Sequence, residues 1–237
     1  MPAVQLFATC LGDLVFPDAV ADAESLLRGA GFEVEFPPAQ VCCGQPAFNS
    51  GHRSAARRVA RTFVRAFSRE TPIVTPSGSC ATMVARFLPE LVGCEPFDLW
   101  ELSAFLDDRK VEPGRHNEGR RFAYHDSCHM LRELRIADPP RRLLERSGAE
   151  LVALPRPDLC CGFGGTFSVR QPEVSVAMAD DKLDGAAGVG ADALVSADPG
   201  CLMHLRGRAE RVGARVPIVH LATALARGVT GPAGDVA

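Results

Sequence analysis

Across 237 residues the chain sets 26 Lys and Arg against 29 Asp and Glu, a formal charge of −3, with 46% hydrophobic residues; this describes an ordinary globular protein and excludes a polybasic nucleic-acid or membrane-surface binder. No stretch approaches the roughly 18 apolar residues of a membrane span, and residues 1–10 lack a basic leader followed by an apolar run, so the expected location is the cytoplasm. The length suits one large domain or two similar small ones.

Residues 4–8 read as a short buried strand, with Cys10 just past its end. Pro17-Asp18 opens a helix that runs through Leu26-Leu27 and stops at Gly29 and Gly31. Residues 32–36 form a second strand running into Pro37-Pro38, so Cys42-Cys43-Gly44 falls in the loop behind it. A long helix is expected over residues 50–70, with Val59, Phe63 and Phe67 on one stripe and Arg53, Arg57, Arg61 and Arg65 on another, the latter a solvated face or a dock for an acidic partner. Residues 72–75 are a third strand, and Cys80 opens the next helix. A strand at 95–99 and a helix at 100–106 close the first half.

Residues 107–119 are charged, contain Pro113 and Gly114, have no apolar period, and read as a linker. The order then repeats: strand 121–124, Cys128, helix 139–147, strand 150–154, Cys160-Cys161-Gly162, helix 172–187, strand 192–196, Cys201 opening a helix, strand 216–219, and a last helix from His220. The expected domains are therefore 1–106 and 120–228, followed by a loose tail at 229–237. Strands alternating with helices imply α/β architecture: two tandem halves, each a small open parallel sheet flanked by helices. Ligands bind such sheets beyond the carboxyl ends of the strands.

The cysteines repeat with the strands. Cys10 precedes Cys42 by 32 positions, and Cys128 precedes Cys160 by 32. Each pair is followed by a single cysteine, Cys80 after 37 positions and Cys201 after 40, so eight of the nine are placed and Cys94 is left over. The odd count and the adjacent pairs argue against a disulfide framework, and the duplicated spacing argues against random core filling by small apolar thiols. Each of these cysteines follows a predicted strand, so four thiols gather at each sheet edge.

Thiolates select zinc, copper(I) or iron–sulfur clusters. Structural zinc usually takes two short Cys-x2–4-Cys knuckles, and adjacent cysteines on one tetrahedral ion would strain the backbone between them. A cluster has several irons for neighbouring thiolates to share, and the glycine after each pair permits a left-handed turn. Cys80 and Cys201 at helix N-termini would be favoured as thiolates. Gly162-Phe163-Gly164-Gly165 follows a cysteine pair and does not open a G-x-G-x-x-G turn; no nicotinamide or flavin motif is expected.

The two C-x31-C-C-G halves resemble the cysteine-rich CCG domain family, whose members include the cysteine-rich component of heterodisulfide reductase and a component of anaerobic glycerol-3-phosphate dehydrogenase. His125-Asp126-Ser127-Cys128-His129-Met130-Leu131-Arg132-Glu133-Leu134, Pro76-Ser77-Gly78-Ser79-Cys80 and Cys201-Leu202-Met203-His204-Leu205 are similar to the lactate utilization protein A family over nearly the whole chain. That resemblance implies a cytoplasmic redox subunit working with other iron–sulfur subunits to oxidise L-lactate to pyruvate, with [4Fe-4S]-type clusters, one per half, on Cys10, Cys42, Cys43, Cys80 and on Cys128, Cys160, Cys161, Cys201. The chain departs from the heterodisulfide reductase pattern, which ends in C-x-x-C: Ser77 and Asp198 stand where that pattern has a fifth cysteine. Each is an additional oxygen ligand or a helix cap.

His125 and His129 flank Cys128 as candidates for hydrogen bonding to sulfur or moving protons, or as ordinary loop histidines. No residue pair stands out as a base for a 2-hydroxy acid. Two rival readings remain: a thiol–disulfide reductase subunit, and a zinc-bearing assembly scaffold.

Overall fold

The apolar runs of both halves form parallel strands in a computed structural model that describes residues 1–229. The first sheet has the order β2-β1-β3-β4, built from β1 (Ala3–Leu6), β2 (Glu33–Glu35), β3 (Ile73–Thr75) and β4 (Leu99–Glu101). The second has the order β6-β5-β7-β8, from β5 (Arg121–Tyr124), β6 (Glu150–Val152), β7 (Ala193–Ser196) and β8 (Ile218–His220). All pairings are parallel. The expected fold class, two similar tandem α/β halves, is the one observed. In each sheet the order reverses between β1 and β3, or β5 and β7, and a crevice opens at such a reversal.

Around the first sheet lie α1 (Cys10–Val15), α2 (Pro17–Gly29), α3 (Gln45–Asn49), α4 (Arg53–Ala66), α5 (Gly78–Thr82), α6 (Leu88–Val92) and α7 (Leu102–Asp108), with a π-helical turn at Met83–Phe87 joining α5 to α6. The second sheet carries a π-helical turn at Met130–Leu134, then α8 (Asp138–Arg146), α9 (Thr166–Arg170), α10 (Pro172–Gly188), α11 (Pro199–Val212) and α12 (Leu221–Ala226). Helix α4 is shorter than the apolar stripe implies, and Phe67 closes it in extended conformation. Arg58, Arg61 and Arg65 on it are exposed, whereas Arg53 covers the Phe48 ring and Arg57 donates to the Leu91 carbonyl.

The strand expected at 95–99 lies later, at Leu99–Glu101. The carbonyls of Glu95 and Pro96 face the guanidinium of Arg69 rather than a neighbouring strand, and the Asp98 carbonyl is the first to accept from β3, through Ile73 N–H. Glu101 then ends the strand and caps α7, accepting from the N–H groups of Ser103 and Ala104.

The largest buried apolar cluster crosses between the halves, joining Val4, Leu6 and Phe105 to Phe122, Tyr124 and Leu221. Packing is reciprocal: α12 of the second half lies on α2 of the first, and α7 of the first lies on α8 of the second. Ion pairs follow both contacts, Arg227 to Asp22 at 2.5 Å and Arg142 to Asp107 at 2.6 Å. The connecting stretch is tied down by buried Asn117, whose amide donates to Ser147 Oγ and the Ala224 carbonyl. Val229, expected in the loose tail, is buried and donates to Asn117 Oδ1; residues 230–237 lie outside the described residues.

Candidate metal centre

In the first half the four cysteines converge at the carboxyl edge of the sheet. Cys10 opens α1 directly after β1, and its thiol lies 3.6 Å from Cys42 Sγ. Cys43 Sγ lies 3.3 Å from Cys80 Sγ in the first turn of α5. Gly44, at φ +88°, turns the chain so that its own N–H donates to Cys42 Sγ at 3.4 Å. Thr9 holds the other side in a backbone region that costs a non-glycine residue about 1–3 kcal/mol: φ is +66° and ψ 158°, and its hydroxyl accepts from Gly12 N–H. Hydrogen bonds from Cys10 and Cys43 hold the Cys42 thiol down to about 3, while the same bonds and burial push Cys10 and Cys43 up.

The second half repeats this arrangement. Gly162, at φ +92°, donates its N–H to Cys160 Sγ at 3.4 Å, and Phe163 N–H reaches Cys161 Sγ at 3.5 Å. Hydrogen bonds from Cys128 and Cys161 hold Cys160 down to about 2, and the bond to Cys160 together with burial pushes Cys128 and Cys161 up. Cys201 is also raised: its bond with Cys161 favours thiolate, but burial and the Asp198 carboxylate outweigh it. Each half thus sets one thiol whose ionisation is favoured, Cys42 or Cys160, beside thiols whose ionisation is disfavoured, Cys10 and Cys43 or Cys128, Cys161 and Cys201, a donor set suited to a soft metal. His125 is completely buried beside Cys161 and Cys201, one ring nitrogen and both Sγ atoms lying within 4.8 Å of one another, and neither of its ring nitrogens has a partner among the described residues. Burial pushes its imidazole down to about 3, so it is neutral.

The two sets meet. One cavity of about 460 Å³ is lined by every cysteine of both sets except Cys42, together with Gln45, His129, Phe163 and Asp198. Contacts across it join the halves: Gln45 Nε2 lies 3.3 Å from His129 Nε2, Gly78 N–H donates to the Ala197 carbonyl at 3.2 Å, and Ser79 N–H donates to Asp198 Oδ2 at 2.6 Å. Gly78 is glycine for a steric reason, since a Cβ there would lie 2.1 Å from Met130 Cγ of the other half.

The eight cysteines expected to form two sets do come together as two sets. Cys94 stands apart, just past α6 and half-buried against the apolar cluster that contains Phe63 and Phe97. Ser77 and Asp198 act as helix caps: Ser77 Oγ accepts from Cys80 N–H, and Asp198 Oδ1 accepts from Gly200 and Cys201 N–H. His129 lies at the cavity with Nδ1 3.6 Å from Cys128 Sγ. Sequence reasoning missed Gln45 and Thr9, although a polar residue just behind Cys-Cys-Gly and a threonine just ahead of the lone cysteine were there to be read.

A duplicated parallel α/β sheet with four thiols at each carboxyl edge defines a two-site cysteine-rich protein. A family model for the cysteine-rich domain CCG matches residues 4–85 and again 122–206, and the chain belongs to that family, within its lactate utilization protein A branch. It is 41% identical over 234 residues to "Lactate utilization protein A" of Geobacillus sp. (strain WCH70), covering 94% of this chain and 98% of the relative. It is 42% identical to the protein of that name from Halalkalibacterium halodurans, covering 94% and 96%, and 37% identical to "Lactate utilization protein A 2" of Bacillus cereus (strain Q1), covering 96% and 99%. Among solved structures, a hypothetical protein from Helicobacter pylori shares the fold at TM-score 0.68 and 12% identity, over 97% of this chain and 49% of that one. No helix among the described residues is long and apolar enough to cross a membrane.

Proposed function

We propose that the chain is an iron–sulfur redox subunit of a cytoplasmic multi-subunit complex that oxidises L-lactate to pyruvate. Cys10, Cys42, Cys43 and Cys80 hold one centre, of [4Fe-4S] type, and Cys128, Cys160, Cys161 and Cys201 hold the other; 1–106 and 120–228 are the two units, joined by 107–119. The observation that carries the reading is the convergence of both thiol sets on a single cavity, supported by relatives whose names state lactate utilization.

Neighbouring thiols favour a cluster over zinc, because Cys42 and Cys43 pair with different partners, Cys10 and Cys80, as two ligands of different iron atoms would. When bound, such a group supplies one-electron carriage. The chain's own residues supply its setting: Gly44, Gly162 and Phe163 aim N–H groups at sulfur, and α5 and α11 place Cys80 and Cys201 in their first turns. Gln45 and His129 face the cavity with groups able to orient a polar substrate.

The test is L-lactate-dependent reduction of an electron acceptor by the assembled complex. Cys43→Ala or Cys161→Ala in this chain is expected to abolish it while assembly persists; full activity in both variants would refute the role. The shared cavity also favours thiol–disulfide reduction as a second reading, and disulfide turnover without lactate turnover by the same complex would select it.

A further inference from the structure

We propose that His125 is a nitrogen ligand of the second-half metal centre, so that the two centres of this chain are chemically unlike. The proposal rests on the iron–sulfur reading above and deepens it. His125 is the residue directly after β5, and its backbone is fixed at the sheet edge: its N–H donates to the Val195 carbonyl at 2.8 Å, and its carbonyl accepts from Ser196 Oγ at 3.0 Å. His125 therefore leaves β5 at the carboxyl edge where β5 and β7 adjoin, the edge from which the chain also leads to Cys128 and Cys201.

A neutral imidazole has one donor and one acceptor nitrogen. Leaving a buried polar group unpaired costs about 1–3 kcal/mol, yet His125 is 0% exposed and both of its nitrogens are unpaired among the described residues. One of them lies within 4.8 Å of Cys161 Sγ and Cys201 Sγ, which themselves lie no farther apart. Three soft or borderline donors so close, one of them orphaned, fit a common metal centre.

The first half provides the internal control. Phe7 occupies the corresponding place, three residues before Cys10 as His125 is three before Cys128, and its N–H likewise donates to the neighbouring strand, at Val74. Phe7 is buried against Phe63 and Phe67 at ring separations of 5.1 and 5.4 Å. An apolar ring therefore fills this slot without orphaned nitrogens, and the imidazole in the second half needs a reason of its own. A neutral nitrogen donor raises a cluster's reduction potential relative to an all-thiolate one, so electrons shared between the two centres settle in the second half.

The test uses the full chain, purified anaerobically from cells fed 15N-histidine, reduced, and examined by pulsed EPR beside iron and sulfide analysis. A strong nitrogen coupling that changes with the label, persists in His129→Gln and vanishes in His125→Phe, with the higher of two reduction potentials falling toward the lower, is the expected result. His125→Phe installs the residue the first half already carries; should it fail to fold, the labelled coupling in His129→Gln decides alone. Full sulfide content without a strong histidine coupling, or a coupling that survives His125→Phe, overturns the ligand. Absence of sulfide in the unsubstituted protein overturns the cluster reading and the ligand with it.

Discussion

The carboxylate of Asp198 bridges the two halves: Oδ2 accepts from the backbone N–H of Ser79 at 2.6 Å, while Oδ1 accepts from Gly200 and Cys201 N–H at the start of α11. One buried side chain thus ties together the N-termini of the two helices that carry Cys80 and Cys201. Asp198→Ala removes a cap and a charge-assisted bond, for an expected loss of roughly 2–3 kcal/mol in denaturant unfolding. Metal retention should fall in both halves rather than in the second alone. A loss confined to the second half would show that Asp198 is only a local cap.

Gly44 and Gly162 occupy the same turn, and the structure predicts unequal costs for filling them. Both have φ near +90°, which strains any L-residue by about 1–2 kcal/mol, but a Cβ at Gly44 would meet nothing closer than 3.5 Å among the described residues whereas one at Gly162 would lie 2.4 Å from the Ser175 carbonyl. Gly44→Ala is expected to fold with reduced stability and keep its metal. Gly162→Ala must move α10 or the Cys160-Cys161 loop, and should lose the second-half metal; comparing metal content of the two purified variants checks this.

His220 links stability to pH. It is buried, accepts from Ala222 N–H at Nδ1, and donates from Nε2 to the Pro76 carbonyl at 2.9 Å across the half boundary, a pattern only the neutral ring can make. Burial pushes its imidazole down to about 4. Between the unfolded value near 6.5 and that folded value the unfolded chain binds the extra proton, so this stabilisation is complete above about pH 6.5 and shrinks as pH falls toward 4, by about 3 kcal/mol. His220→Asn, which can still cap α12, should lower stability at pH 7 and flatten the decline between pH 6.5 and 4.5, as read from denaturation midpoints. An unchanged slope would mean that other groups carry it.

Much of this arrangement is legible in the amino-acid order, for reasons that are local. β1, β3, β5 and β7 are short apolar runs bounded by turn residues, and the 32-residue spacing by itself places Cys10 with Cys42 and Cys128 with Cys160. The short helices α1, α3 and α9 are not legible, because five or six residues have no period to read; they are set by the strained Thr9, the left-handed Gly44 and the glycine pair at Gly164-Gly165. Pro46 in the first turn of α3 was a usable signal. β4 was misplaced because Phe97 is apolar and buried although its backbone forms no strand. That both thiol sets face one cavity depends on how α12 docks on α2 and α7 on α8, a tertiary fact that no window of sequence carries.

The most direct test of the central claim is iron, zinc and acid-labile sulfide in protein purified without oxygen, read beside the visible spectrum before and after reduction. Iron and sulfide in near-equal amounts with a brown band that bleaches on reduction is the predicted result, with roughly half of both lost in Cys43→Ala and half in Cys161→Ala. Zinc at about one per half, no sulfide, and no reducible band after attempted reconstitution would contradict the account and make the chain a zinc-bearing scaffold.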